Sequence, residues 1–187
     1  MVFDSAESDE ELAILVQEGS AEAFSMLVNR YTEYLFRIIW RTYPETQEAE
    51  DIVQDVFLKF WNKPKSFDIG RGVKFRTWMT RVAMNQAIDL ARKKKPKPDY
   101  SYLMQQSMDD SNMPLHELEE KVAKVELEEA IQNLPERQQQ ALNLCFYEDI
   151  KQKEAAQIMD VSLKALESLL MRAKKSLYQI MTEREFM

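Results

Sequence analysis

The sequence is poor in the residues that build disulfide frameworks, zinc sites and tight sheet turns. Its 187 residues include one cysteine, Cys145, and one histidine, His116, so the chain forms no internal disulfide and lacks the Cys/His set of a zinc site. Three glycines are few for a sheet protein, whose turns rely on glycine. The composition excludes a disulfide scaffold and favours helices joined by short connections.

Long apolar stretches are also missing. No apolar run approaches the roughly 20 residues of a membrane-spanning helix, and the acidic N-terminus lacks the basic and apolar segments of a signal peptide. Hydrophobic residues still make up 45% of the chain, which is ordinary for a globular protein. We expect a cytoplasmic protein without membrane insertion.

Sequence signatures of catalysis are absent as well. The chain contains neither G-x-x-x-x-G-K-[ST] nor G-x-G-x-x-G, the loops that bind phosphates and dinucleotides. Cys145 falls among apolar positions of a predicted helix, where a small core residue explains it, and carboxylate pairs such as Glu50–Asp51 lie on an acidic helix, where solvation explains them. The sequence predicts a protein that is not an enzyme, with no catalytic residue, no metal and no cofactor.

Strong helix formers dominate the composition instead. In the first half, caps, stops and apolar periodicity predict four helices that begin near Ser8, Ser20, Thr46 and Phe75. Pro44 ends the second of these helices, and the fourth ends near Lys94. Between the third and fourth helices, one proline and two glycines predict a loop over residues 62–74.

The chain then changes character and resumes as a second helical segment. Residues 96–117 have three prolines, three serines and no apolar period, which predicts a flexible linker between domains of residues 1–95 and 118–187. In the second domain, Pro135 is expected at the first position of a helix whose apolar positions include Cys145 and Phe146. The chain continues with a short helix, a turn and a last helix capped by Ser162. This order of elements is typical of a helix-turn-helix. The predicted fold class is all-α, with two small helical domains.

Charge is segregated along the chain, although the net charge is −7. Residues 1–55 are acidic, with 3 Lys/Arg and 13 Asp/Glu. Residues 56–98 are basic, with 12 Lys/Arg and 2 Asp. Such blocks suggest a polyanion-binding surface flanked by surfaces that face something else. Basic and polar residues of the fourth helix, and those opposite the leucine stripe of the last helix, are the candidates to contact nucleic acid.

Several segments together carry a family resemblance. AEDIVQDVFLKFW and FRTWMTRVAMNQAIDLARKKK resemble region 2 of the sigma-70 family, and LPERQQQALNL followed by QKEAAQIMDVSLKALESLLMRAKKSL resembles region 4. The short two-domain plan is similar to the extracytoplasmic-function (ECF, group 4) sigma factors. The resemblance covers about residues 8–98 and 118–180.

The resemblance implies three sets of site residues. Core RNA polymerase, through its β′ clamp helices, is expected at exposed residues of the third helix: Asp51, Gln54, Asp55 and Lys59. The unpaired strand of the −10 promoter element is expected at the loop and fourth helix: Phe67, Arg71, Lys74, Arg76, Arg81, Asn85 and Arg92. The −35 duplex is expected at a helix-turn-helix over about residues 152–171 and just beyond it: Lys164, Glu167, Ser168, Met171, Arg172, Lys174 and Lys175.

The resemblance also implies partners and leaves alternatives open. It implies the polymerase β flap as a further contact and an anti-sigma factor as a regulator. A sigma-like decoy that sequesters an anti-sigma factor and a stand-alone helix-turn-helix regulator are the alternative interpretations. Glu167 stands where many family members carry Arg, so the family's −35 sequence does not transfer to this chain.

Overall fold

Every regular element of the described structure is a helix, as the composition predicts. The structure is a computed structural model, and it describes residues 8–42, 46–94 and 126–185. The helices up to Lys94 belong to one compact unit, and the chain from residue 126 on supplies most of a second. The linker predicted over residues 96–117 lies outside the described residues.

Four long helices form the first unit: α1 (Asp9–Gln17), α2 (Ala21–Thr42), α3 (Thr46–Asn62) and α4 (Phe75–Lys94). Helix α2 packs against each of the other three. The predicted starts of the four helices are confirmed to within a residue, and α4 has the predicted bounds. Two 3₁₀ turns, Pro64–Ser66 and Ile69–Arg71, occupy the predicted loop.

Local capping explains where α1 begins. The Ser8 hydroxyl accepts a hydrogen bond from the Glu11 backbone N–H at 3.2 Å, and the Glu11 carboxylate accepts one from the Ser8 N–H at 2.8 Å. This reciprocal capping box satisfies two backbone donors that a helix start leaves unpaired. The Ser8 hydroxyl also donates to the Glu11 carboxylate at 2.9 Å. The backbone N–H and the hydroxyl of Ser8, which both donate to this carboxylate, hold the pKa of the Glu11 carboxyl below its ordinary value.

Polar contacts between α1 and α2 also fix their packing. The Tyr31 hydroxyl donates to the Asp9 carboxylate, and Arg30 Nη1 lies 3.0 Å from the same group. Burial, and then the hydrogen bond to Asp9, raise the pKa of Tyr31, so the phenol is neutral at any physiological pH. A turn at Gly19, whose φ of 95° favours glycine, joins the two helices.

An aromatic cluster fills the core beneath α4. The rings of Phe60, Phe67 and Phe75 are all buried, and Phe75 lies 5.1 Å from Phe60 and 5.2 Å from Phe67, centroid to centroid. Tilted and edge-on ring pairs at such distances add about 0.5–1.5 kcal/mol each beyond their area burial. The cluster therefore holds α3, α4 and the loop between them together.

The buried face of α4 differs in its centre from the face that the periodicity suggests. Phe75, Met79 and Ala83 are fully buried, whereas Trp78 and Val82 are only partly buried. Ile88, the other large apolar residue in this part of α4, is also only partly buried. Small residues on the true inner face let α4 lie close to its neighbours, which a count of large apolar residues does not reveal.

In the second unit, residues 126–132 are helical (α5). They are followed by α6 (Glu136–Leu142), α7 (Gln152–Ile158) and α8 (Leu163–Glu185). Helix α6 packs on α8. The Ser162 hydroxyl accepts a hydrogen bond from the Ala165 N–H at 3.2 Å, which confirms the predicted cap of α8. The helix-turn-helix predicted from residue 152 on is therefore present as α7, a turn and α8.

Two details of the second unit correct the sequence interpretation. Pro135 precedes α6 as its cap residue instead of taking its first position. Helix α6 continues as a π-helical segment, Asn143–Tyr147, and Phe146, which was expected on an apolar face, is 56% exposed. A π turn holds more residues than an α turn, so an α-helical period no longer identifies the buried positions there.

Candidate protein and nucleic-acid interfaces

The outer face of α3 carries the four polar residues expected to meet a protein partner. Asp51, Gln54, Asp55 and Lys59 are all exposed. The side chains that were expected inside lie in the core: Ile52, Val53, Val56 and Phe57. The amphipathic pattern of the helix thus produces a polar face on a firm apolar base.

A large apolar residue on this face went unnoticed in the sequence. Leu58 is 54% exposed and follows Asp55 by three residues and Gln54 by four, so it lies on the same side of α3. An exposed apolar side chain on a polar face adds apolar area that a protein partner can cover. The sequence did indicate this exposure. Ile52, Val56 and Phe60 recur every four residues along the buried face, and Leu58 does not fall on that spacing.

A groove between α3 and α4 extends the polar face beyond α3. It encloses about 390 Å³, and carboxylates of both helices line it, among them Asp51, Asp55 and Asp89. Ile52 and Leu90 supply its apolar lining. The contribution of α4 was missed, since only the packing of two helices brings residues 51–55 and 86–93 together.

The loop between α3 and α4 holds Phe67 in a position that contradicts its predicted role. Phe67 is 1% exposed, and its ring lies 5.2 Å from Phe75 and 5.5 Å from Trp78, centroid to centroid. A ring enclosed in this way offers no surface to an unpaired base. The prediction that Phe67 contacts the base is wrong for this structure, and Phe67 anchors the loop to the core instead.

Two residues of α1 position the loop and the start of α4, and sequence reasoning missed both. Gln17 Nε2 donates to the carbonyl oxygens of Pro64 at 3.2 Å and Phe67 at 2.9 Å. Glu10 Oε1 accepts from the Phe75 N–H at 2.9 Å, which satisfies an unpaired donor at the first turn of α4. Both contacts span about 50 residues or more, so no local pattern points to them.

Replacing Gln17 should loosen the loop without unfolding the unit. Gln17→Ala leaves two partly buried carbonyls without their donor, which costs about 1–3 kcal/mol. We expect faster amide exchange in residues 64–72 and unchanged exchange in α2, measured by hydrogen-exchange mass spectrometry. Gln54→Ala, at an exposed glutamine of α3, is the control. Equal exchange in the Gln17→Ala protein and the unmodified chain would show that Gln17 does not hold the loop.

Basic side chains surround this loop on its exposed side. Arg71 lies 3.1 Å from the Asp68 carboxylate, with both side chains largely exposed, and Lys74 is exposed. The Arg76 guanidinium lies 4.4 Å from the centre of the Tyr34 ring, a distance at which cation–π attraction operates. These cations border the loop on the side that solvent reaches.

Polar residues of α4 form a second part of the candidate nucleic-acid surface. Asn85 is exposed and Arg81 is partly exposed, and their spacing of four places them on one face of the helix. No residue in the described part of the chain hydrogen-bonds the Asn85 amide. Arg92 lies on the same helix, but its side chain is outside the described part. At 100° per residue, Arg76 lies about 140° from Arg81 around the axis of α4, so the two side chains are on different sides of the helix.

Helix α8 separates a buried face from a polar one. Leu166, Leu170 and Ala173 are buried, and Ser168 is partly buried. The other predicted duplex contacts are exposed: Lys164, Glu167, Met171, Arg172, Lys174 and Lys175. This arrangement leaves a row of polar and basic side chains free to enter a major groove, as a recognition helix requires.

Two of these residues have partners within the unit. The Lys174 ammonium lies 5.1 Å from the centre of the Phe146 ring, which gives the exposed ring a cationic neighbour. Arg172 Nε donates to the Ser168 carbonyl at 3.2 Å. That bond uses one of the five N–H donors of the guanidinium, so the side chain is oriented and still has donors to offer.

The described part of the chain shows no metal cluster, and its one cysteine, Cys145, is free and partly buried. No group of three or more His, Cys, Asp or Glu side chains converges there as a metal site would require. Burial raises the pKa of the Cys145 thiol, which disfavours the reactive thiolate. Among the described helices, none is long and apolar enough to cross a membrane.

Comparison with known protein families matches both units. The family model for sigma-70 region 2 matches residues 27–96, and the model for sigma-70 region 4 matches residues 124–177. The two matches together cover about two thirds of the chain. They include most of α2 and all of α3 and α4 in the first unit, and the helix-turn-helix in the second.

Curated proteins resemble the chain over nearly its whole length. The ECF RNA polymerase sigma factor SigW of Bacillus subtilis is 29% identical, covering 87% of this chain and 90% of its own. The RNA polymerase sigma-H factor of Pseudomonas aeruginosa is 28% identical, covering 91% and 92%. The ECF sigma-E factor of Escherichia coli is also 28% identical, with the same coverage.

Solved structures share the architecture. CnrH, in complex with the cytosolic domain of CnrY, superposes with a TM-score of 0.69 at 25% identity, covering 95% of this chain and 99% of that one. The sigma factor RpoE of Bartonella quintana, in complex with the anti-sigma factor NepR, gives a TM-score of 0.61 at 19% identity, covering 87% and 98%. The second likeness concerns the fold alone.

Proposed function

The chain belongs to the sigma-70 family of RNA polymerase sigma factors, and on that premise we propose that it is an ECF-type factor whose two units share promoter recognition. The first unit binds core polymerase through α3 and captures unpaired −10 bases beside α4. The second unit binds the −35 duplex through α8 and contacts the polymerase β flap. The observation that carries the proposal is the match of both family regions, in order, to units with exposed polar faces where each partner is expected.

The core-binding proposal rests on the outer face of α3. Asp51, Gln54 and Asp55 are exposed above a buried apolar row, Leu58 adds an apolar anchor, and the groove toward α4 is rich in carboxylates. A partner helix with basic side chains would suit such a surface by charge and by shape. The clamp helices of the polymerase β′ subunit are the partner that the family resemblance implies.

The promoter-melting proposal rests on the exposed face of α4 and the adjacent loop. Asn85 offers donors and an acceptor to an unpaired base, while Arg71, Lys74, Arg76 and Arg81 supply positive charge for the backbone. Opening the duplex costs a few kcal/mol of unstacking. A surface that binds the open form and not the closed form shifts the equilibrium by that difference in affinity.

Regulation and location follow from the same proposal. The solved structure of CnrH is a complex with the cytosolic domain of CnrY, which supports control of this chain by a protein partner. The family resemblance implies that this partner is an anti-sigma factor. We place the chain in the cytoplasm, where polymerase and chromosome meet. It acts by differential binding and catalyses no reaction itself.

Transcription in vitro tests the proposal directly. Purified core polymerase is mixed with the chain and a library of DNA templates with a randomised promoter. We expect transcripts from a subset of templates that share two elements at fixed spacing, and none from core polymerase alone. Transcription that is equal with and without the chain would overturn the proposal.

Removing one DNA contact from each unit should block different steps. Asn85→Ala removes a base-reading group and should leave the closed complex intact while slowing opening. Arg172→Ala should weaken the first binding to duplex by ~1–3 kcal/mol if the guanidinium reads a base, or lower the salt slope by about 1 if it holds a phosphate. Permanganate footprinting measures opening, and a duplex-binding assay with holoenzyme measures recruitment.

A third exposed side chain supplies the control for both variants. Gln179→Ala truncates an exposed amide of α8 that lies beyond the predicted contacts, so both steps should proceed as with the unmodified chain. Loss of the same step in the Asn85→Ala and Arg172→Ala proteins would refute the division of labour between the units.

A further inference from the structure

The outer face of α8 carries an acidic and an apolar residue where a duplex-binding surface is expected to be basic. Glu167 and Met171 are both exposed, Met171 by 67%. They are the fifth and ninth residues of α8, within the part of a recognition helix that reaches base edges. We infer that this pair sets the −35 specificity of the chain, with Glu167 selecting a cytosine and Met171 a neighbouring thymine.

The chemistry of Glu167 points to cytosine. In the described part of the chain, its carboxylate has no ion-pair or hydrogen-bond partner, so its acceptor oxygens are free. In the major groove, cytosine presents only the N4 amino donor, guanine two acceptors, and adenine a donor beside an acceptor. A carboxylate accepts and does not donate, so it pairs best with cytosine and is repelled by guanine.

The chemistry of Met171 points to thymine. The Met171 side chain is apolar, and the C5-methyl of thymine is the apolar group that base pairs present in the major groove. Glu167 and Met171 are four residues apart, which is about 6 Å along the helix axis. Base pairs follow one another at about 3.4 Å, so the two bases should lie within about two base pairs of each other.

Flanking cations keep the acidic residue compatible with DNA. Lys164, Arg172 and Lys175 are exposed on either side of the pair along α8, and such side chains bind phosphates without regard to sequence. Affinity would then come mainly from the cations, while Glu167 and Met171 discriminate between sequences. The carboxylate also discriminates by repelling guanine, which presents two acceptors in the major groove.

This inference rests on the proposed function, and its test begins with a promoter obtained from the library transcription above. Holoenzyme reconstituted from core polymerase and the chain is presented with variants of that promoter randomised only in the upstream element. Four proteins are compared: the unmodified chain and the single variants Glu167→Gln, Met171→Ala and Lys175→Ala. A second set of duplexes carries deoxyuridine, which lacks the methyl group, in place of each thymine.

The expected results differ for each variant. Glu167→Gln should move the preference at one position from cytosine to adenine, which an amide pairs bidentately, by about tenfold. The unmodified chain should lose about threefold in affinity when one thymine is replaced by deoxyuridine, and Met171→Ala should be indifferent to that replacement. Lys175→Ala should weaken all sequences alike and lower the salt slope by about 1.

Failure of the inference is distinguishable from failure of the proposed function. If the library yields no promoter, the proposed function is overturned and the inference falls with it. If a promoter is found but Glu167→Gln selects the same upstream element, or if no thymine methyl affects binding, the inference alone is overturned. Met171 would then belong to a protein contact, to be sought on the polymerase flap.

Discussion

Asp55→Lys is expected to lower the affinity of the chain for core RNA polymerase by at least tenfold. Asp55 is exposed on α3 and lines the groove that α3 forms with α4. Reversing its charge places an ammonium beside Lys59 and opposite the basic side chains expected from the polymerase clamp. Losing one member of a buried, hydrogen-bonded charge pair in an interface costs about 2–5 kcal/mol, and repulsion adds to that loss.

Binding is measured by titrating labelled chain with purified core polymerase. Because the Asp55 side chain is exposed, the circular dichroism spectrum and melting temperature should stay unchanged. Glu33→Lys, at an exposed position of α2, changes the net charge by the same amount outside the groove and should bind normally. Normal binding by both Asp55→Lys and Leu58→Asp would mean that α3 is not the docking face.

Phe67→Ala is expected to destabilise the first unit by about 3–5 kcal/mol, the usual cost of truncating a buried aromatic ring. Phe67 is 1% exposed and packs against Phe75 and Trp78. For a unit of this size, such a loss lowers the melting temperature by more than about 10 °C. Phe67→Leu, which keeps most of the apolar volume, should cost much less.

The same substitution distinguishes a core residue from a base-contacting one. If Phe67 met an unpaired base, Phe67→Ala would keep the melting temperature and lose only promoter opening. Thermal unfolding followed by circular dichroism decides between the two roles. Phe146→Ala, which truncates a 56% exposed ring of the second unit, serves as the control and should melt close to the unmodified chain.

Most of the helical plan was predictable from sequence, because its causes are local. Serine caps, proline stops and apolar periodicity act over three or four residues. They correctly predicted the start of α1 at Ser8, the cap of α8 at Ser162 and the bounds of α4. The polar face of α3 was predictable for the same reason, since amphipathic spacing alone determines which of its residues face solvent.

The site was predictable only in part. Asp51, Asp55, Asn85 and the polar row of α8 are exposed as predicted, because each lies opposite an apolar stripe on its own helix. Phe67 was misjudged because an aromatic residue in a basic loop has the same sequence signature whether its ring is buried or stacked on a base. Only the positions of Phe75 and Trp78, on another element, determine which of the two it is.

The sequence by itself thus determined the helices, their exposed polar faces and the family to which the chain belongs, through short-range periodicity and the order of its motifs. The tertiary structure decided the inward face of α4, the burial of Phe67, the anchoring of the loop by Gln17 and Glu10, and the acidic groove between α3 and α4. Each of these depends on contacts between residues far apart in sequence. Close packing selects such contacts by shape and by hydrogen-bond geometry. Neither property can be deduced from the local sequence pattern.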